Sequence, residues 1–144
     1  MRALTSGEPL HVDFGLLLLR LGLGGSLLIF HGWDKLSGGP ALWARLGSNM
    51  ANLGVHIWPA AWGLAAATAE SLGSFLLILG LWTRPAAALI ACTLFVAVLR
   101  HLNLPPEAAG AGWKGASHAL ELGAATLCVF FAGPGRLSLA RGGK

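Results

Sequence analysis

Four side chains inside the apolar stretches of this sequence could do acid–base chemistry: Arg20, Glu70, His118 and Glu121. Arg20 lies in LLLLRLGLGG with nothing within four residues to neutralise it, and His118 precedes Glu121 by three residues, which puts those two on one helical face. A charge at the centre of a membrane-spanning helix costs about 2.5–3.5 kcal/mol on insertion scales, so each needs a partner. At a rise of about 1.5 Å per residue, Arg20, Glu70 and Glu121 are expected to meet near mid-membrane, the arginine holding both glutamates. One guanidinium against two carboxylates leaves a surplus negative charge in a low-dielectric pocket, which a proton on a glutamate or on His118 would cancel. Glu70, Glu121 and His118 are therefore the candidate proton-handling residues. The same ion pairs could instead do no more than fix the register of the helices.

A second group, His31, Lys35, Arg100 and His101 together with His56, is expected at one end of the helices. Its spacing lacks the H-E-x-x-H or Cys/His patterns of metal sites, so no metal is predicted. The expected use is hydrogen bonding to a polar headgroup, such as a quinone carbonyl, at the mouth of an apolar cleft. Cys92 and Cys128 are not a C-x-x-C pair, and helical rise puts them at different depths, so both read as small core side chains. Soluble-enzyme motifs are absent: there is no nucleophile elbow, no Ser/His/Asp arrangement, and the LGLGG glycines lack the preceding strand that a dinucleotide site needs.

The elements that must position these groups follow from composition. The chain has 144 residues, 55% hydrophobic and 11% charged, with mean hydropathy +0.67, where soluble domains carry about 25% charged residues. It reads as an all-α polytopic membrane protein: a single bundle over residues 1–144 with four crossings at about 12–31, 60–82, 85–100 and 113–132. The amphipathic stretch from Ala41 to Ile57 reads as a short interfacial helix in the first long loop. Trp33, Trp58, Trp62, Trp82 and Trp113 fall near the inferred ends, where indole prefers the headgroup level. Gly22 and Ser26, four apart, predict the close approach of a neighbouring helix.

The net charge is +4, but the basic residues stand singly at the ends of apolar runs, a pattern of membrane anchoring that excludes a nucleic-acid surface. Arg2, Arg84, Arg136, Arg141 and Lys144 fall on the side of the termini, against Lys35, Arg45, Arg100 and Lys114 on the other. The bias predicts cytoplasmic termini. The start MRALTSGEPLHVD predicts a first apolar run retained as a helix and not cleaved.

The residues that carry chemistry fall into an order that resembles the DoxX family of small four-helix membrane proteins. The likeness rests on Arg20, Gly24 and Phe30-His31-Gly32-Trp33-Asp34-Lys35-Leu36; on Ala69-Glu70-x-x-Gly73 leading to Leu79-Gly80-Leu81-x-Thr83-Arg84; on Ala97, His101 and Glu121; and on Gly133-Pro134-Gly135-Arg136-Leu137-Ser138-Leu139. Leu137 and Ala140 depart from a tail that often has an aromatic residue and an aspartate there. The resemblance implies a subunit of a redox system in the inner membrane of a prokaryote; some relatives belong to thiosulfate:quinone oxidoreductases and others to complexes handling thiol or oxidative stress. No residue here carries thiosulfate as a substrate.

Taken together, these readings give a quinone-linked membrane subunit in which Glu70, Glu121 and His118 handle protons and Arg20, His31, Lys35, Arg84 and His101 contact the ligand. Quinone is the expected cofactor; lipids and a protein subunit or a second copy are the expected partners. Two other classes stay open: a non-catalytic scaffold that recruits a redox or export partner, and a small proton-linked transporter.

Overall fold

The computed structural model describes residues 11–140, and the path of the chain is all helix and turn among these. Helix α1 (Val12–Leu27) passes through one wide π turn (Leu28–Gly32) directly into α2 (Trp33–Ser37). Together they make one continuous span, Val12–Ser37. The sequence reading ended this crossing at His31; the chain instead stays helical through Gly32, and His31 and Lys35, four apart, remain on one face of it.

After Gly38 come α3 (Gly39–Gly47) and a 3₁₀ segment (Ser48–Leu53), then three long helices: α4 (Pro59–Leu79), α5 (Thr83–Asn103) and α6 (Gly112–Ala132). Four stretches are long and apolar enough to cross a membrane: the α1–α2 rod, α4, α5 and α6. Large apolar side chains such as Leu18, Leu72, Phe75, Leu120 and Phe131 point outward, as a lipid-facing surface requires. The core is thin and built mostly of Leu23, Leu27, Leu77, Ile90, Leu94, Val98 and Val129.

Helix α4 is the most enclosed span, and small residues let its neighbours reach it. A Cβ on Gly32 would lie 2.8 Å from the Cα and N of Ser71, and one on Gly24 would lie 2.9 Å from the Ser74 carbonyl oxygen, so only glycine allows these two crossings. Gly22, by contrast, faces nothing within 4 Å. The expected contact stripe is therefore displaced by two residues, to the face that carries Gly24 and Arg20.

The stretch read as an interfacial helix is α3 followed by the 3₁₀ segment; it does not span, and it packs on α4. A Cβ on Gly47 would overlap the Pro59 carbonyl, and one on Gly63 would overlap the Trp43 carbonyl, so the two backbones touch there. Trp43 Nε1 donates to the Lys35 carbonyl at 2.9 Å and ties α3 to α2.

At the opposite end, Gly80 and the left-handed Trp82 (φ 44°) turn the chain from α4 into α5. The segment after α6 folds back over this end. Arg136 N donates to Asp13 Oδ1 at 2.8 Å, Leu139 N donates to the Leu79 carbonyl at 3.0 Å, and Ser138 Oγ donates to the Gly135 carbonyl at 2.9 Å. Arg2, Arg141 and Lys144, part of the charge count behind the orientation, lie outside the described residues.

Candidate functional site

The polar groups that come together do so around a cavity of about 920 Å³, within the size range of small-molecule sites. Alanines of α4 and α5, with Leu89, Leu94 and Phe95 of α5, make one part of its wall, and Asn49, Met50 and Leu53 of the 3₁₀ segment line another. Its charged and imidazole groups are His31, Lys35, Glu70, Arg100, His101 and His118. Asn49 and the wall it belongs to were missed in the sequence; the signal was Gly47 and Gly63, which permit the close crossing that brings this segment in.

Glu70, on the buried side of α4, is met by Lys35 from α2: Nζ donates to Oε2 at 2.5 Å. The carboxylate side chain is 5% exposed and the ammonium side chain 29%, so the pair is buried at its acidic end and open toward the cavity at its basic end. The π turn has a direct part in this. It places His31 and, one turn on, Lys35 beside the Gly32 crossing, where the backbone of the π turn touches Glu70 and Ser71.

Beside this ion pair, His31 Nε2 and His118 Nε2 face each other at 3.4 Å, with ring centroids 5.5 Å apart. This is long for a hydrogen bond but within reach of a shared proton or of a third polar atom. His101 uses Nδ1 against the Gly110 carbonyl at 2.7 Å, which fixes its ring while it lines the cavity. Among the described residues no group of three or more His, Cys, Asp or Glu side chains is arranged to hold a metal.

Four expected members are elsewhere: Arg20, Glu121, Arg84 and His56. Arg20 does not meet either glutamate: it is fully buried at the far end, where Nη2 donates to the Leu137 carbonyl beside Gly80. The depth count assumed that all helices start at one level, but α1 starts well beyond the Gly80 turn, so eight residues into α1 is only level with the end of α4. From Arg20 to Lys35, 15 residues along the rod, is about 22 Å. Lys35, not Arg20, is therefore the cation at the depth of Glu70.

Glu121 is exposed on the outer surface of α6 and does not line the cavity. Three residues turn a helix by about 300°, so Glu121 is rotated about 60° from His118, enough to carry it from the cavity edge to the lipid face. Arg84 is exposed at the Gly80 end, near Gly133, and takes no part in the cavity. His56 is exposed in the loop before α4 and is also outside it. Cys92 lines the cavity, whereas Cys128 does not; both are free thiols and neither is a core side chain.

The DoxX family model matches residues 15–102, more than half of the chain. The chain belongs to the DoxX family. It is a multi-pass membrane protein by that membership and by its four apolar spans. The match takes in Arg20, His31, Lys35, Glu70 and His101 but ends before α6, so His118, Glu121 and the folded-back segment lie beyond the matched region. No curated protein and no solved structure matches the chain.

Proposed function

We propose that this DoxX protein is the membrane-embedded subunit of a quinone-linked redox system and that the central cavity holds the quinone. One observation carries the reading: a cavity with mostly apolar walls in which Lys35 and Glu70 form the only ion pair found among the described residues, beside a histidine pair. A quinone ring presents two carbonyl acceptors on an apolar body, and the residues here offer matching donors on an apolar wall. When bound, a quinone supplies two-electron, two-proton redox chemistry.

The chain's own part follows from the geometry. Lys35 Nζ donates toward the cavity while anchored on Glu70, so it can hold a carbonyl oxygen without leaving its counter-charge. His31 and His118, facing each other at Nε2, can pass a proton between the π turn and α6 and present it to a second oxygen. The alanines of α4 give the ring an apolar wall to lie against.

The test is retention of a defined quinone, ubiquinone-8 or menaquinone-8, by protein purified in mild detergent and extracted for mass spectrometry. About one quinone per chain in the wild type and a marked loss in Glu70→Gln support the reading. Protein that takes up neither quinone when loaded in vesicles sinks it.

The exposed carboxylate of Glu121 favours a second reading, a scaffold whose α6 face contacts another membrane protein. A scaffold role predicts that Glu121→Leu abolishes complex formation in native membranes while quinone retention is unaffected.

A further inference from the structure

Arg20 is left out of the cavity, and its surroundings at the other end of the bundle raise a separate question. It is fully buried, and among the described residues only Nη2 has an acceptor, the Leu137 carbonyl. Nε and Nη1 have none, which leaves at least three of the five guanidinium N–H donors idle. A guanidinium cannot shed its charge at any working pH, and a buried charge without a counter-ion is strongly unfavourable. Among the described residues no carboxylate lies within ion-pair reach of it; the nearest acid along α1, Asp13, is engaged by the Arg136 amide.

Two hydroxyls of the helices that meet at this end behave unusually. Ser71, Thr93 and Thr126 each donate to a carbonyl of their own helix, the ordinary solution for a helical hydroxyl in an apolar setting. Ser74 Oγ and Thr83 Oγ1 are buried and have no partner among the described residues. Ser74 lies on α4 where Gly24, one turn along α1 from Arg20, packs against its carbonyl, and Thr83 opens α5 three residues after the Gly80 that abuts Nη1. The amino end of α5 adds the positive end of a helix dipole to the same region. A fixed positive charge, spare donors and a helix start converge with no acid among the described residues to balance them.

We propose that Arg20 is an anion-binding residue. Its ligand is a halide or a phosphate oxygen, drawn from free phosphate or from an anionic lipid headgroup, held beneath the strap formed by Gly133 to Ala140. The level is right for either source: Gly80 and the exposed Trp82 ring mark the headgroup region, and the strap covers Arg20 from the aqueous side. The Leu137 carbonyl supplies one acceptor and the anion supplies the charge that the carbonyl cannot. This site stands at the opposite end from the cavity and does not depend on what the cavity binds.

The experiment compares thermal unfolding of delipidated protein in neutral detergent at constant ionic strength. One arm uses sodium gluconate, one chloride, one inorganic phosphate; two further arms use gluconate with bicelles of phosphatidylcholine alone or with phosphatidylglycerol. A saturable rise in Tm of about 2–5 °C is expected with an anion that fits. A rise in chloride or phosphate identifies a free ion, and one seen only with phosphatidylglycerol identifies the headgroup. The rise should vanish in Arg20→Gln and persist in Arg84→Gln, an exposed arginine at the same end. Equal Tm in all arms, or loss of the effect in Arg84→Gln, overturns the proposal. Should Arg20→Gln fail to fold, native mass spectrometry decides on the wild type and Arg84→Gln: one retained phosphate or phosphatidylglycerol per chain in both supports the site, and none in the wild type overturns it.

Discussion

Lys35 Nζ and Glu70 Oε2 meet at 2.5 Å where the α1–α2 rod crosses α4, and the pair is asymmetric: the carboxylate is enclosed and the ammonium is open to the cavity. The two partners should therefore not be equivalent under mutation. Lys35→Met leaves the Glu70 carboxylate buried without a counter-charge and is expected to cost about 3–5 kcal/mol. Glu70→Gln leaves an ammonium that can turn toward water, and about 1–2 kcal/mol is expected. The double variant should recover part of the Lys35→Met loss, giving a coupling of opposite sign to the single costs. Unfolding by denaturing detergent in mixed micelles measures all three; equal single costs would show that both ends are equally enclosed.

The histidine pair should act on ligand binding more than on folding. His31 and His118 touch only through Nε2 at 3.4 Å, too long to add much stability. His31→Ala and His118→Ala are each expected to weaken quinone retention about 5- to 10-fold, the worth of one lost hydrogen bond, with Tm nearly unchanged. Titration of the purified variants with a soluble quinone analogue reads this directly. Unaltered affinity in both would remove the histidines from the ligand site.

The four crossings and the residue types at the cavity were legible because they rest on composition and on spacing along one helix. Length, hydropathy and tryptophans locate spans, and four-residue spacing keeps His31 and Lys35 together. Which helix meets which was not legible. Arg20 and Glu70 looked like partners because their depths were counted from helix ends that do not lie at one level. The π turn and the continuation through Gly32 then moved Lys35 into the place Arg20 was given. Rotation failed for a similar reason: Glu121 and His118 share a side of α6, but the boundary between cavity and lipid runs between them, and only packing sets that boundary.

The glycine contacts make a sharper test of helix placement. A Cβ at Gly63 would overlap the Trp43 carbonyl, backbone that cannot give way, whereas one at Gly22 meets nothing within 4 Å. Gly63→Ala is expected to destabilise by about 1–3 kcal/mol or more and to widen the cavity by pushing out the 3₁₀ segment. Gly22→Ala is expected to gain about 0.5–1 kcal/mol from helix propensity alone. The same unfolding assay separates them. Equal effects would mean that α3 does not cross α4 where the structure puts it.

Anchoring of the strap by Arg20 predicts a protease phenotype. Removing a charged donor from the Leu137 carbonyl forfeits about 1.5–3 kcal/mol of local stability, which corresponds to about 10- to 100-fold more frequent opening of the segment from Gly133 to Ala140. Arg20→Ala should accordingly be cut by trypsin after Arg136 about 10- to 100-fold faster than the wild type, at an early stage when the four spans are still intact. Timed digestion followed by intact-mass measurement reads the rate. Unchanged cleavage would mean that the Asp13 and Leu79 contacts hold the strap without Arg20.

Glu121 gives the cleanest separation between the cavity and the outer surface. It sits near the middle of α6, exposed, and outside the cavity wall, so in lipid its carboxyl carries the insertion cost without any return within the chain. Replacing it with leucine in the isolated protein is expected to raise stability in bilayers by about 2–3 kcal/mol, the cost of an acid at that depth. Quinone retention should stay at the wild-type level, because no cavity contact is lost. The two readouts work against each other as a control: a variant that is more stable and still loads quinone places Glu121 on the lipid face. One that is less stable and loads none would return it to the polar cluster with His118.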